Sequence, residues 1–337
     1  MKKSLFFVAA AAVVLASCSS DVKIDENVAL EGSNAQKEIA FSAYAQKTHR
    51  VRSNAPIEGT TFTPNTMQVV AYDATAAANY FDATTFTKDE DTWKGAKYWP
   101  FAPATINFLA YAELEGTATW NATNPASAVS LAMGDNSSAQ KDLMYACGTG
   151  TVTQNSNALV FPTNVPMTFQ HAQAWVIFAV KAGDATSASA ITVNSITLNE
   201  VSCQGTFAVT HSNWNKTKAE REAAQPEHSL DGTVSGDWSS FDNDNDTIVA
   251  AHDGAYSLST SVADTASLMV VPNKGMQSFT INYTVDGNTY NYTYTPASAA
   301  LAQATKYTYN ITLTLHEIEI APTVSNWTEG GPTNIDL

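Results

Sequence analysis

The chain is short of arginine, of cysteine, of charge and of long apolar runs, and each shortage excludes something. Only 15% of its 337 residues are charged, and three are arginine: Arg50, Arg52 and Arg221. The formal net charge is −15. Such a net charge repels nucleic acid and anionic lipid head groups. Three cysteines cannot make a disulfide framework. Apart from Cys18, Cys147 and Cys203 read as small buried hydrophobes, with a bridge between them as the alternative. The one apolar run, Leu5–Ala16, is too short to span a bilayer as a helix. The six histidines show no metal-ligand spacing, and HExxH, GxSxG, P-loop and dinucleotide-binding motifs are all missing. No catalytic pair of carboxylates is evident, so the expectation is no enzyme, no metal and no cofactor. Helix formers concentrate in one stretch, Lys216–Gln225, which Pro226 ends.

What is present begins at the N-terminus. Lys2 and Lys3 precede the apolar run, which closes in Leu15-Ala16-Ser17-Cys18. Residues 1–17 thus resemble a bacterial lipoprotein signal peptide, with the Cys18 thiol placed to take a diacylglyceryl group. Further acyl chains would make the anchoring stable, because a single chain holds only marginally. Residues 18–36 are small, polar and acidic, a tether between lipid and fold. That acidity is similar to signals that send lipoproteins of the Bacteroidetes to the outer face of the outer membrane.

Residues 37–52 read as a strand followed by a basic linker. Ile39, Phe41, Ala43 and Ala45 alternate with Ala40, Ser42 and Tyr44, the period of a half-buried strand. Two of the three arginines follow at once, so an arginine-specific protease would find its targets almost entirely here. The stretch reads as a built-in strand that is later cut away; the plainer alternative is an ordinary first strand and a basic loop. Removal through Arg52 would leave 10 basic against 27 acidic residues, a net −17.

Further strands are expected at Met67–Tyr72, Thr105–Ala112, Leu143–Ala146, Leu159–Phe161, Trp175–Lys181, Ile191–Leu198, Gly205–Val209 and Leu268–Val271. Phe279–Tyr294 reads as a hairpin turning at Asp286-Gly287. Lys306–Ile320 reads as one long strand, and Ala118–Ser138, rich in Asn and Ser, as loop. Pro162 and Pro166 bracket the expected junction. The fold class is all-β: two tandem antiparallel β-sandwiches, at residues 53–165 and 166–337, the first completed by residues 38–45.

Several blocks in order then carry a resemblance. They are the IAF strand with its downstream arginine, Tyr98-Trp99-Pro100 before NFLAYA, Asp142–Ala146, Pro166–Ala172, Ile196–Leu198 through Gly205–Phe207, Met269–Pro272, Lys306–Tyr309 and the closing Trp327. Together they resemble the fimbrillin family of the Bacteroidales, the type V pilins, over nearly the whole chain. The resemblance implies two transthyretin-like sandwich domains, lipidation at Cys18, passage to the cell surface and cleavage after Arg52 or Arg50. Cleavage after Arg52 would leave Ser53 as the new start. It also implies a groove, vacated by Ile39, Phe41, Ala43 and Ala45, that a strand of another subunit fills. The implied partners are other fimbrial subunits, lipoprotein-processing enzymes and the protease, with a host protein or glycan as receptor. The implied role is adhesion or biofilm formation, by a stalk, tip or accessory subunit. A donor strand near the C-terminus would draw on Ile318, Ile320 and Val324. The alternative is a surface lipoprotein that does not polymerise and binds a glycan or host protein.

Smaller constellations complete the reading. Asp242, Asp244, Asp246 and Asp253 resemble part of a calcium loop, but Thr247 stands where that loop needs glycine, so a solvated turn is expected. Thr247 and Thr265 sit in Asp-Thr-apolar triplets similar to bacterial O-glycosylation acceptors. His171 reads as a partner to backbone carbonyls, and the Tyr98-Trp99 and Tyr290-Tyr292-Tyr294 runs as cross-strand packing rather than a sugar platform.

Overall fold

In the computed structural model the described residues are 36–45 and 62–327, apart from 115, 121–128, 139, 157, 212–233, 240–246, 250–254 and 273–274. The helix expected at Lys216–Gln225 and most of the acidic loop at 242–253 lie outside them. The first strands are β1 (Glu38–Ala45), β2 (Thr66–Asp73), β3 (Ala78–Asp89), β4 (Thr92–Tyr98), β5 (Ala104–Ala112), β6 (Gly116–Trp120) and β7 (Val129–Met133). Then come β8 (Met144–Asn155), β9 (Ala158–Val160), β10 (Val165–His171), β11 (Ala174–Ala182), a short helix α1 (Ala185–Ala190), β12 (Ile191–Asn199), β13 (Gly205–His211) and β14 (Val234–Ser239). The last are β15 (Thr247–Val249), β16 (Tyr256–Ser257), β17 (Ala263–Val270), β18 (Ser278–Val285), β19 (Asn288–Tyr294), β20 (Thr305–Leu313) and β21 (Ile318–Asn326). The described residues are therefore all-β with almost no helix. No helix among the described residues is long and apolar enough to cross a membrane.

Seven strands close a ring. Their order is β1-β4-β3-β2-β5-β8-β10, and β10 pairs back to β1. The β8–β10 closure is short, with only Gln170 opposite Tyr145 and His171 opposite Met144. Inside the ring Phe41, Met67, Phe86, Trp93, Phe108 and Phe169 form one core. The outer face of β2, β5 and β8 is covered by a second sheet, β14-β13-β7-β6. There Val70, Leu109, Tyr111 and Tyr145 meet Leu131, Phe207 and Trp238. This second layer explains why all nine residues of β5 are buried although alternation predicts one wet face. Its polar Asn107 is satisfied by the Thr149 hydroxyl, which donates to Asn107 Oδ1 at 3.0 Å.

The second half is a pair of facing sheets. β17-β11-β20-β21 packs against β15-β12-β18-β19, with β16 beside β12. Phe279 sits centrally, 4.8 Å from the Phe178 ring and 5.0 Å from Tyr309. The β18–β19 hairpin turns as expected: Asp286 and Gly287 both have positive φ, 49° and 81°, as a type I′ turn requires.

Several local expectations are corrected. The stretch read as loop at Ala118–Ser138 supplies part of β6 and all of β7, because β13 offers β7 a partner far along the chain. Lys306–Ile320 is two strands, not one. Between them Thr314 Oγ1 accepts the Glu317 N–H at 2.9 Å, making a turn without glycine or proline. The strand begun at Leu143–Ala146 continues to Asn155, through glycines that fit close neighbours: a Cβ on Gly150 would lie 2.1 Å from the Trp99 ring. α1 was not foreseen. Its N-cap Asp184 accepts the Ser187 N–H at 2.8 Å. The ladders are not all antiparallel, since β1–β10 and β11–β20 run parallel. Val165 and Pro166 both lie in β10, which pairs with β1 and β8, and β11 pairs with β17 and β20.

Candidate functional site

β1 lies in the middle of the ring, not at an edge. On one side it runs parallel to β10, with Phe41 opposite Val165 through Ala45 opposite Phe169. On the other it is antiparallel to β4, with Ala40 opposite Lys94 and Phe41 opposite Trp93. The β4 ladder shifts between Glu38 and Ala40, and two bonds cover the irregularity. The Glu38 carboxylate accepts the Ala96 N–H at 3.0 Å, and the Trp99 N–H donates to the Lys37 carbonyl at 2.9 Å.

The composition of β1 suits one large anchor among small residues. Ile39 and Phe41 are fully buried, and Ala43 and Ala45 point into the same core. The Phe41 ring meets Phe86 at 4.9 Å and Phe108 at 5.0 Å, both edge to face. Burying Ile39 and Phe41 contributes ~1.5–3 kcal/mol each before the ladder bonds count. Ala40, on the face the alternation leaves to solvent, is buried too, while Tyr44 is half exposed. Without β1, β4 and β10 would each expose a row of unpaired N–H and C=O groups around an apolar slot.

Residues 46–61, which include the basic linker with Arg50 and Arg52, lie outside the described residues, as does Cys18. The chain is next described at Phe62, which composition did not single out. Phe62 is buried in the ring core, stacked at 3.9 Å on Phe169 and 5.4 Å from Trp93. An isolated aromatic within Thr60-Thr61-Phe62-Thr63-Pro64 was the available signal. The chain is therefore fastened to the ring on both sides of the linker.

Ile318, Ile320 and Val324 lie on β21, which pairs with β20 from Leu313 opposite Ile318 to Thr305 opposite Asn326. Thr247 is in β15, and Thr265 is in β17 where the ladder to β11 changes register. His171 differs from expectation: its Nδ1 lies 3.0 Å from both oxygens of the Asp142 carboxylate, not against a carbonyl. Its ring stacks at 3.9 Å on Trp327. Beside it Tyr145 accepts from Gln303 Nε2 at 2.7 Å, and burial pushes its phenol up to about 12 against that bond. These groups lock the crossing between the halves. Of the aromatic runs, Trp99 is buried, and Tyr290 stacks on its cross-strand neighbour Tyr283 at 5.7 Å. Among the described residues, no three of His, Cys, Asp or Glu are grouped to hold a metal ion.

The first strand among the described residues is thus buried between β4 and β10 in a closed ring, and Arg50 and Arg52 follow it in the sequence. The chain belongs to the fimbrillin-like family, whose model matches residues 50–327. The match begins beyond β1. Its fold is similar to solved structures of proposed cell adhesion proteins. One is from Bacteroides uniformis, with TM-score 0.51 and 15% identity, covering 86% of this chain and 98% of that one. Another is from Bacteroides ovatus, with TM-score 0.51 and 15% identity, covering 87% and 98%. No curated protein sequence matches this chain. Membership of this family supports a fimbrial subunit.

Proposed function

We propose that this chain is made as a lipoprotein precursor whose β1 holds the place of a strand from another subunit. Lipidation at Cys18 brings it to the outer membrane. An arginine-specific protease cuts after Arg52 or Arg50, β1 leaves, and a donor strand enters between β4 and β10. The product is a surface fimbria serving adhesion or biofilm formation, built from two transthyretin-like sandwich domains per subunit. Strand addition satisfies the same backbone groups as β1 and fills the same slot. For Ile318, Ile320 and Val324 to act as a donor, β21 must come away from β20, and a stalk subunit would do this where a tip subunit would not.

Incubating the pure precursor with an arginine-specific protease is expected to yield ladders that survive mild detergent. A trimmed monomer would instead favour a surface lipoprotein that binds a glycan or host protein. Arg50→Ala with Arg52→Ala is expected to abolish maturation, and normal fibres from the double variant would refute the cleavage step.

A further inference from the structure

The outer edge of β19 is open: among the described residues its one strand neighbour is β18. Every residue from Asn288 to Thr293 is exposed, Tyr290 at 48% and Tyr292 at 36%. Proteins commonly protect such edges with charge, proline or a bulge. Asn288–Tyr294, NTYNYTY, has no charge and no proline, and its ladder to β18 is unbroken. In a chain of net charge −15 an uncharged edge is a place where two copies can approach.

The sequence of this edge reads the same in both directions about Asn291: Thr289-Tyr290-Asn291-Tyr292-Thr293. The hairpin sets which backbone groups face outward. Its two-residue turn makes Val285 and Asn288 a hydrogen-bonded pair, and such pairs alternate with non-bonded ones. Thr289, Asn291 and Thr293 therefore turn their N–H and C=O away from β18. These are the residues that a two-fold axis through Asn291 would bring face to face. Asn291 would meet its own copy, and Thr289 would meet Thr293 of the other chain, all as hydrogen-bonded pairs. Tyr290 would lie opposite the other chain's Tyr292.

The side chains are ordered for the same continuation. Asn194 Nδ2 donates to Asn282 Oδ1 at 2.7 Å, and Asn282 Nδ2 donates to Asn291 Oδ1 at 2.7 Å. The amide row ends at the edge, where Asn291 Nδ2 is the next donor. Hydroxyl pairs flank it, Thr280 with Thr293 at 3.0 Å and Thr284 with Thr289 at 3.3 Å. We propose that β19 is a self-recognition edge, and that two copies of this chain join there as antiparallel strands about a two-fold axis at Asn291. The edge belongs to a different sheet from β1, so this side-to-side contact and strand replacement in the ring are compatible.

The test is sedimentation equilibrium of the full chain from micromolar to millimolar concentration, with cysteine scanning of the edge. The expected result is a reversible dimer that added salt strengthens, because screening weakens the repulsion between two acidic bodies. Asn291→Pro removes an outward N–H that β18 does not use, and is expected to weaken the dimer by about tenfold or more. In oxidising buffer Asn291→Cys should cross-link to its copy above the background of the parent chain, because paired Cα atoms there lie ~5.5 Å apart. Thr289→Cys alone should not, since its copy lies roughly 14 Å away. If Asn291→Pro fails to fold, the cross-link pattern decides alone. A monomer throughout, a dimer unaffected by Asn291→Pro, or cross-linking through Thr289→Cys in place of Asn291→Cys would overturn the proposal.

Discussion

Phe41→Ala lowers the stability of the uncut chain by about 3–5 kcal/mol, the usual cost of emptying a buried phenylalanine site. The ring of Phe41 touches Phe86 and Phe108 edge to face and has no exposed surface. Around it on β1, Ala40, Ser42, Ala43 and Ala45 are too small to close the cavity, and Ile39 is already buried in the same core. Domains are stable by only about 5–15 kcal/mol, so the loss is a large fraction of the total. Tyr44→Ala, on the half-exposed face of the same strand, should cost far less, within about 0.5 kcal/mol if it behaves as a surface site. Urea unfolding of both variants checks this. After cleavage and strand replacement the difference between Phe41→Ala and the parent should vanish, because the altered residue has left with β1. Equal stability of the two uncut chains would mean that Phe41 does not anchor the ring.

Trp327→Ala has a comparable expected cost, about 3–5 kcal/mol, at the other end of the chain. Trp327 follows β21 and is buried. Its backbone N–H donates to the Ala304 carbonyl at 2.8 Å. Its ring stacks on His171 of the first half and lies 5.8 Å from Trp175 of the second. The substitution should therefore loosen the crossing between the halves and the hold of β21 together. Hydrogen exchange should quicken along Ile318–Asn326 while the β1–β4 ladder stays protected. Trp327→Phe keeps a ring against His171 and should recover part of the loss. If Trp327→Ala leaves both stability and β21 exchange unchanged, the C-terminal end is not a structural clasp.

Local signals carried well where pairing is local. Alternation marks β1 and β2, and Asp286-Gly287 marks the β18–β19 turn because its positive φ values suit that dipeptide. The same logic failed where partners are distant. β7 carries only Val129, Leu131 and Met133 in alternation, within a stretch rich in Asn and Ser, and exists as a strand because β13 lies beside it. In β8, Gly148-Thr149-Gly150 resembles a turn, yet the glycines answer the close approach of β10 and Trp99. The Thr314–Glu317 turn uses side-chain bonds in place of glycine or proline, so the alternation of β20 and β21 ran together on paper. Asp142 and His171 are 29 residues apart, and their pairing depends on how β8 meets β10. At the site, alternation placed Ile39, Phe41, Ala43 and Ala45 on the inward face. That β1 lies between β4 and β10, with Phe62 beyond the linker as a second anchor, is a property of the closed ring that no single stretch contains.

The account turns on whether the first strand is temporary, and the N-terminal residue of subunits within assembled fimbriae from the native cell measures that directly. The expected start is Ser53, or Val51 if the cut follows Arg50, with Glu38–Ala45 gone from the subunit. Assembled subunits that still carry Ile39 and Phe41 in one unbroken chain with Phe62 would contradict it.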